Sequence, residues 1–260
     1  MPVESFIPQS AKRISGSALK VIAVVTMIID HTGAYFPRIM AGIVFRCGWL
    51  SLRLYDVLRF VGRISFPLFC FLLMEGFLHT RDRKQYALRL FLFALLSEPL
   101  WNLVHSGRLL YPSQNVFFTL LFGFLGLCLL ERLALAPESR RSSAALLLLL
   151  LLVTLVFRAD YGSSGFGFIL LLYLLRARPL SRAVVGSCFL SSGWKAGLAF
   201  VPIAFYNGKR GFLKGRAASL CFYAIYPLQM LISILFGKIP SVFNGCLKKV
   251  NFFCELFIIL

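Results

Sequence analysis

Residues 19–33 place an aspartate next to a histidine near the end of an otherwise apolar helical segment, LKVIAVVTMIIDHTG. If the helix enters a membrane near Ala18, Asp30 lies about 18 Å along it, given the rise of an α-helix. The hydrocarbon core of a bilayer is about 30 Å thick, so Asp30 and His31 lie inside it or at its far edge. An aspartate there costs roughly 2.5–3.5 kcal/mol, which favours a polar interior around the pair. The alternative is a helix that ends at residue 30, with the pair in a hydrated turn before Pro37.

Polar residues of other predicted spans share the depth of Asp30. Successive spans cross a membrane in opposite directions, so the end of one span and the start of the next lie on the same side. When the predicted spans are placed in alternating directions, five further residues fall at the membrane depth of Asp30 and His31, namely Arg63, Glu98, Asn115, Thr119 and Asp160. We predict a shared cavity in which the acids and the histidine form a proton network and Arg63 offsets one carboxylate. The alternative is a set of pairwise ion bridges that only lock the helices together.

Glu75 and His79 form a second polar group near the opposite membrane surface. They are four residues apart, so they share one helical face, and a carboxylate in that position can orient a histidine ring. Equally, the pair can simply end the helix before Arg81. No metal site is predicted, because His31, His79 and His105 fall at different depths and the seven cysteines have no C-x-x-C spacing.

The composition is that of a membrane protein. Hydrophobic residues make up 59% of the chain and charged residues only 15%, so most of its length cannot face water. The 28 Lys and Arg against 10 Asp and Glu cluster between apolar runs, a pattern of loops held against anionic lipid. Membrane lipids are therefore the expected partners, and nucleic-acid binding is not expected.

The predicted fold is an all-α, polytopic helix bundle of about eight spans. We predict a single domain over 1–260, with a polar N-terminal segment at 1–17 and an irregular C-terminal tail at 238–260. After the first span, Arg46 and Arg53 lie seven residues apart, which predicts an amphipathic helix in the membrane interface. The expected spans are 18–36, 57–80, 86–104, 114–131, 144–157, 165–176, 183–206 and 217–237.

Two features of this topology stay open in the sequence. Residues 183–206 contain Gly193-Trp194-Lys195 in the middle, so they form one span, two shorter ones or a re-entrant pair. The basic residues of the N-terminus and of the 81–89 loop favour a cytoplasmic N-terminus, whereas those of 37–56 argue against it.

Several motifs, in this order along the chain, resemble the TraX family of membrane proteins. They cover nearly the whole sequence, and the IDH, GRISFP-to-EGFLHT and YNGKRG segments are specific in combination. The matching segments are LK-x-IA-x-x-x-M-x-IDH-x-G at 19–33, GRISFPLFCFLLMEGFLHT at 62–80, Tyr86 with Arg89-Leu90, LLSEPLWN at 95–102, NVFFTLLFG at 115–123, ADYG at 159–162, YNGKRG at 206–211 and FYAIYPLQ at 222–229.

The resemblance implies an acyltransferase in the bacterial cytoplasmic membrane, with acetyl-coenzyme A as donor. The family's named member is the conjugative pilin acetylase, and the acceptor expected here is a pilin-like peptide, a glycan or a lipid headgroup. One departure is Gln229, where the family commonly has a histidine. The residues expected to bind substrate are Glu75, His79, Asn115, Thr119, Tyr206, Asn207, Lys209 and Tyr223.

Acetyl transfer needs a base for the acceptor and a positive group for the oxyanion. We expect His31 to be the base, because the ordinary pKa of histidine lies near neutral pH. Neighbouring residues diverge by about 100° on a helix, so the partner of His31 is expected from another helix rather than from Asp30. The candidate catalytic set is His31, Asp30, Glu98, Asp160 and Arg63.

Two other classes of function stay open. A small proton-coupled transporter would also gather ionisable residues in mid-membrane, although no inverted repeat is visible in the sequence. A non-catalytic assembly factor for a conjugation or envelope system would need no cavity.

Overall fold

The computed structural model describes residues 8–47, 50–190 and 193–237, and nearly all of their regular structure is helical. Short 3-10 turns lie at Gln9–Ala11 and Pro137–Ser139. The helices are α1 (Gly16–Tyr35), α2 (Pro37–Gly42), α3 (Leu54–Gly62), α4 (Ser65–His79), α5 (Arg83–Ser106), α6 (Val116–Leu135), α7 (Arg140–Phe157), α8 (Gly162–Leu174), α9 (Pro179–Phe189), α10 (Trp194–Gly197), α11 (Phe200–Ala204) and α12 (Gly215–Gly237).

Within the described ranges, six helical segments are long and apolar enough to cross a membrane. They are α1, α3 with α4 as one segment, α5, α6, α7 and most of α12. The protein is therefore a multi-pass membrane protein built as a helical bundle. The predicted count of eight spans is not confirmed, because α8 and the α10–α11 segment are shorter apolar helices. The tail predicted at 238–260 and the first seven residues of the predicted N-terminal segment lie outside the described residues.

The segment 183–206 is interrupted rather than forming one continuous helix. Helix α9 ends at Phe189, and α10 begins after Gly193, whose φ of 56° is a left-handed conformation that glycine adopts readily. A further break separates α10 from α11. Gly193 therefore marks a break in the helix.

The predicted interfacial helix after the first span is wrong. Strand β1 (Val44–Cys47) pairs antiparallel with β2 (Leu50–Arg53), and only from Leu54 does the chain become helical again. The short α2 ends at Gly42, and the β-branched pair Ile43-Val44 that follows favours extended backbone. Arg46 and Arg53 thus lie on two strands, and their seven-residue spacing did not indicate a helical face.

The N-terminus of α1 is bonded to the loop that precedes α12. The Ser15 side chain caps α1 by accepting from the Ala18 N–H at 3.3 Å. The Ser17 hydroxyl donates to the carbonyl of Arg210 at 2.8 Å, and the Gly16 N–H donates to the carbonyl of Lys209 at the same distance. This contact holds the start of α1 beside the 206–213 loop.

Helix α1 packs against α3, α4 and α12, while α6 packs against α5, α7 and α8. Aromatic rings fill much of the space between these groups. Phe66 of α4 stacks on Tyr161 at 3.6 Å, and Phe77 meets Phe124 of α6 edge-on at 5.6 Å. Helices of both groups line a shared cavity, whereas α7 lies outside its lining.

Candidate functional site

A cavity of about 760 Å³ runs along the inner face of α1. Residues from Gly16 to Tyr35 of that helix line it, a rise of about 29 Å. The cavity therefore extends over nearly the whole hydrocarbon thickness of a bilayer. We call its two polar ends the His31 end and the Lys20 end, after the α1 residues that line them. Between them the wall is mostly apolar, with Met27, Phe69, Leu73, Leu90 and Phe117.

The His31 ring is held by a hydrogen bond and two aromatic contacts. Its Nδ1 lies 3.0 Å from Oε1 of Gln229 on α12. Tyr35 and Tyr226 lie 5.0 and 5.8 Å away, measured between ring centroids. Gln229, where the resemblance leads us to expect a histidine, is thus in direct contact with the candidate base.

Asp30 forms an ion pair with Arg59 of α3. The Arg59 guanidinium donates to Oδ2 of Asp30 at 2.6 Å, and both side chains are largely buried. A Cβ at position 62 would overlap the Asp30 carboxylate, so Gly62 permits this close approach of α3 to α1. Arg59 was missed in the sequence, although it lies one helical turn before Arg63 and so shares its face.

Asp160 lies in the turn between α7 and α8, at the same end of the cavity. Its Oδ1 accepts from the Tyr161 N–H at 3.1 Å, and its backbone carbonyl accepts from the Thr119 hydroxyl. Burial raises the pKa of the Asp160 carboxyl to about 6, while the Tyr161 N–H and the charge of Arg63 act in the opposite direction. Tyr161 has a φ of 62°, unusual for a residue with a side chain. The ADYG segment is therefore a locally strained turn at the cavity wall.

His105 belongs to the His31 end, contrary to the prediction that the three histidines lie at different depths. Its ring lies 3.8 Å from Trp101 and 6.0 Å from Tyr35, between centroids. The sequence placed His105 beyond the end of the third span, but α5 continues to Ser106. Among the described residues, no group of three His, Cys, Asp or Glu side chains could hold a metal ion.

Three residues predicted in the same layer lie outside the cavity lining. Glu98 accepts from the Asn115 side chain at 2.5 Å and from its backbone N–H at 3.2 Å. Asn115 also donates to the carbonyl of Ala94 at 2.8 Å and caps α6. The Thr119 hydroxyl is bonded to the backbone of Asp160. These contacts hold α5, α6 and the α7–α8 turn together. Membrane depth alone therefore did not distinguish residues that line the cavity from residues that bond one helix to another. Asp30, His31, Arg63 and Asp160 do line the same end.

The Lys20 end gathers cations from α1, α5 and the 206–213 loop. Lys20, Arg89 and Arg210 line it together with Glu75. The Arg89 Nε is buried without a hydrogen bond in the described part of the chain. Three positive side chains against one carboxylate make this end suited to an anionic group.

Glu75 and His79 both line the cavity, but the carboxylate does not orient the ring. Nδ1 of His79 lies 2.8 Å from the backbone carbonyl of Glu75 and 3.9 Å from its carboxylate. Tyr206 also lines this end, and burial and the nearby Glu75 carboxylate both raise the pKa of its hydroxyl. Glu75 and Tyr206 therefore lie close together at the Lys20 end.

Of the remaining residues expected to bind substrate, Tyr223 lines the cavity whereas Asn207 and Lys209 do not. Asn207 accepts from the Lys209 N–H at 2.9 Å and donates from its own N–H to Ile14. These two residues shape the loop that presents Gly208 and Arg210 to the cavity.

The geometry defines a multi-pass helical protein with a cavity, polar at both ends, that runs between its membrane-spanning helices. The family model described as TraX protein matches residues 15–236. The chain is also 31% identical over 255 residues to "Probable fimbrial assembly protein FimC, serogroup H1" of Dichelobacter nodosus, covering 84% of this chain and 93% of that protein. No solved structure matches. The chain belongs to the TraX family, which confirms the resemblance seen in its motifs.

Proposed function

We propose that this protein is an acyltransferase of the bacterial cytoplasmic membrane that transfers an acetyl group to an envelope or pilin-like acceptor. The observation that carries the proposal is the continuous cavity, which joins a histidine with an ordered ring to a cationic end across the membrane. The family membership and the fimbrial name of the relative support a role connected with pili or conjugation.

In the proposed reaction His31 acts as the base. The acceptor, an amine or a hydroxyl, gives its proton to the free ring nitrogen of His31 and attacks the carbonyl carbon of the acetyl thioester. The new C–N or C–O bond forms, the C–S bond breaks, and the leaving thiolate takes the proton from the histidine. Arg63 lines the same end and forms no salt bridge with the residues that the structure describes, so its charge is available to the developing oxyanion. Asp160 is near enough for its charge to be linked to that of Arg63.

The Lys20 end is proposed to hold the phosphates of acetyl-coenzyme A. Lys20, Arg89 and Arg210 supply the positive charge, and the apolar middle of the cavity suits the uncharged arm that carries the thioester. With the N-terminus in the cytoplasm, this end opens where coenzyme A is present. We propose that α8 also crosses, and that α9 and the α10–α11 segment form a re-entrant pair rather than a span. Gly197 packs on Ser187 and Gly186 packs on Phe200, so the two parts run antiparallel, and the chain returns to the Lys20 end at Tyr206. This gives seven crossings instead of the eight expected from the sequence. The acceptor would then meet the acetyl group at the His31 end.

Acetyl-coenzyme A turnover by the purified protein tests this function. Release of free thiol is expected from the unaltered chain and is expected to be lost in His31→Ala. Cys128→Ala is the matched control, because this half-buried residue lies outside the cavity lining. Turnover that persists unchanged in His31→Ala, Asp30→Asn and Arg63→Met would refute the assignment. Mass spectrometry of envelope glycans, lipids and pilin-like peptides from cells with and without the protein would identify the acceptor by one added acetyl group.

A second candidate is a non-catalytic assembly factor, favoured by the name of the relative as a probable fimbrial assembly protein. It predicts that assembly of pili depends on the protein but survives His31→Ala. The acyltransferase proposal predicts that His31→Ala abolishes acetylation of the acceptor while the variant protein is still present in the membrane.

A further inference from the structure

We propose that Gln229 is a positioning residue that fixes the proton of His31 on Nδ1 and leaves Nε2 as the reactive nitrogen. This inference rests on the proposed function, because it names the group that prepares the base.

The hydrogen-bond partners of Gln229 determine which way its amide faces. Its Nε2 lies 3.5 Å from the backbone carbonyl of Ile28, and a carbonyl can only accept. The amide oxygen is thereby directed to His31, where Oε1 and Nδ1 are 3.0 Å apart. Since an amide oxygen also only accepts, Nδ1 of His31 must carry the hydrogen.

The other ring nitrogen of His31 is left for substrate. Nε2 has no hydrogen-bond partner among the described residues, and His31 lines the cavity. The rings of Tyr35 and Tyr226 restrict rotation about the side-chain bonds, with centroids 5.0 and 5.8 Å from that of His31. Neutral His31 therefore presents a lone pair on Nε2, as a general base requires.

The contact also persists through the proton cycle. When Nε2 takes a proton from the acceptor, Nδ1 still donates to the amide oxygen of Gln229, so the ring need not turn. Gln229 is neutral and does not bind the proton itself. It acts only through the orientation and the tautomer of His31.

Nitrogen-15 NMR of the full-length protein labelled at histidine tests the tautomer directly. The His31 signals are assigned by their loss in His31→Gln. We expect the unaltered protein to show Nδ1 protonated and Nε2 unprotonated, and Gln229→Leu to gain the form protonated on Nε2. An Nε2-protonated ring in the unaltered protein, or an unchanged tautomer in Gln229→Leu, would overturn the proposal. This measurement decides the inference even if the protein transfers no acetyl group.

Turnover supplies a second test, because a hydrogen-bond-acceptor role of Gln229 and a packing role predict opposite orders of activity for its Leu and Glu variants. Gln229→Leu should lower turnover about fivefold, the size of one ordinary hydrogen bond, while Gln229→Glu should restore it because it keeps an acceptor oxygen. A role in packing alone would favour the apolar leucine over the charged glutamate, and that order would count against the inference. Leu228→Ala is the matched control, since this neighbour is 54% exposed on the outside of α12.

Discussion

The ion pair between Asp30 and Arg59 is expected to stabilise the packing of α1 on α3 by an amount that can be measured. Arg59 donates to Oδ2 of Asp30 at 2.6 Å, while Oδ1 is already buried without a partner in the described part of the chain. Arg59→Met keeps most of the apolar stem but leaves both carboxylate oxygens without a donor.

The size of the loss follows from the burial of the pair. Removing one partner of a fully buried pair costs about 3–5 kcal/mol, whereas a single charged hydrogen bond contributes about 1.5–3 kcal/mol. The two side chains keep exposures of 24% and 15%, so the smaller range applies and we expect about 2 kcal/mol. For a chain of this size that lowers the unfolding midpoint by about 4–8 °C.

Thermal unfolding in detergent, followed by circular dichroism, is the assay. Arg81→Met removes an exposed arginine from the loop before α5 and should leave the midpoint unchanged. Combining Arg59→Met with Asp30→Asn removes the stranded charge and should recover most of the loss. A midpoint of Arg59→Met equal to that of the unaltered protein would refute the reasoning, as would a double variant no more stable than Arg59→Met.

Three further outcomes are expected. First, the free energy of unfolding should fall as the pH rises from about 4 to 6, because the folded state keeps the Asp160 proton after the unfolded chain has lost it. The raised pKa corresponds to at most about 3 kcal/mol. Asp160→Asn should flatten this dependence in unfolding experiments across pH. Second, Gly211→Ala should lower the unfolding midpoint more than Gly208→Ala, because both have positive φ but only a Cβ at 211 meets Ser15 and Ser17; equal losses would contradict this. Third, Lys20→Met should raise the KM for acetyl-coenzyme A about fivefold with little change in kcat. Lys195→Met, outside the cavity lining, should change neither constant. A fall in kcat alone for Lys20→Met would argue against a role of Lys20 in binding phosphate.

The sequence predicted the class of fold and several cavity residues because both depend on position along a helix. Hydrophobic runs predicted the long spans, and depth brought Asp30, His31, Arg63 and Asp160 to one end. Depth does not fix the rotation of a helix about its axis, so Glu98 was grouped with His31 although it faces Asn115. The contact of His31 with Gln229 depends on how α1 and α12 are rotated against each other, and nothing local to either segment encodes it.

The hairpin shows a different limit of sequence reasoning. The seven-residue spacing of Arg46 and Arg53 fits one face of a helix as well as it fits two paired strands. The spacing of two residues alone therefore does not distinguish the two backbone conformations. The pairing of Val44 with Arg53 is what distinguishes the two. The β-branched residues after Gly42 were the available signal.

The bond between the start of α1 and the 206–213 loop has a consequence for biogenesis. Ser17 and Arg210 are 193 residues apart, and His31 and Gln229 are 198 apart, so α1 leaves the ribosome long before the segments that it contacts. Until α12 arrives, α1 has inserted with an aspartate and a histidine on a face that lacks one of its partner helices. The polar wall that serves the mature protein is thus a liability during synthesis, and a chain halted before α12 would display it to the membrane quality-control proteases.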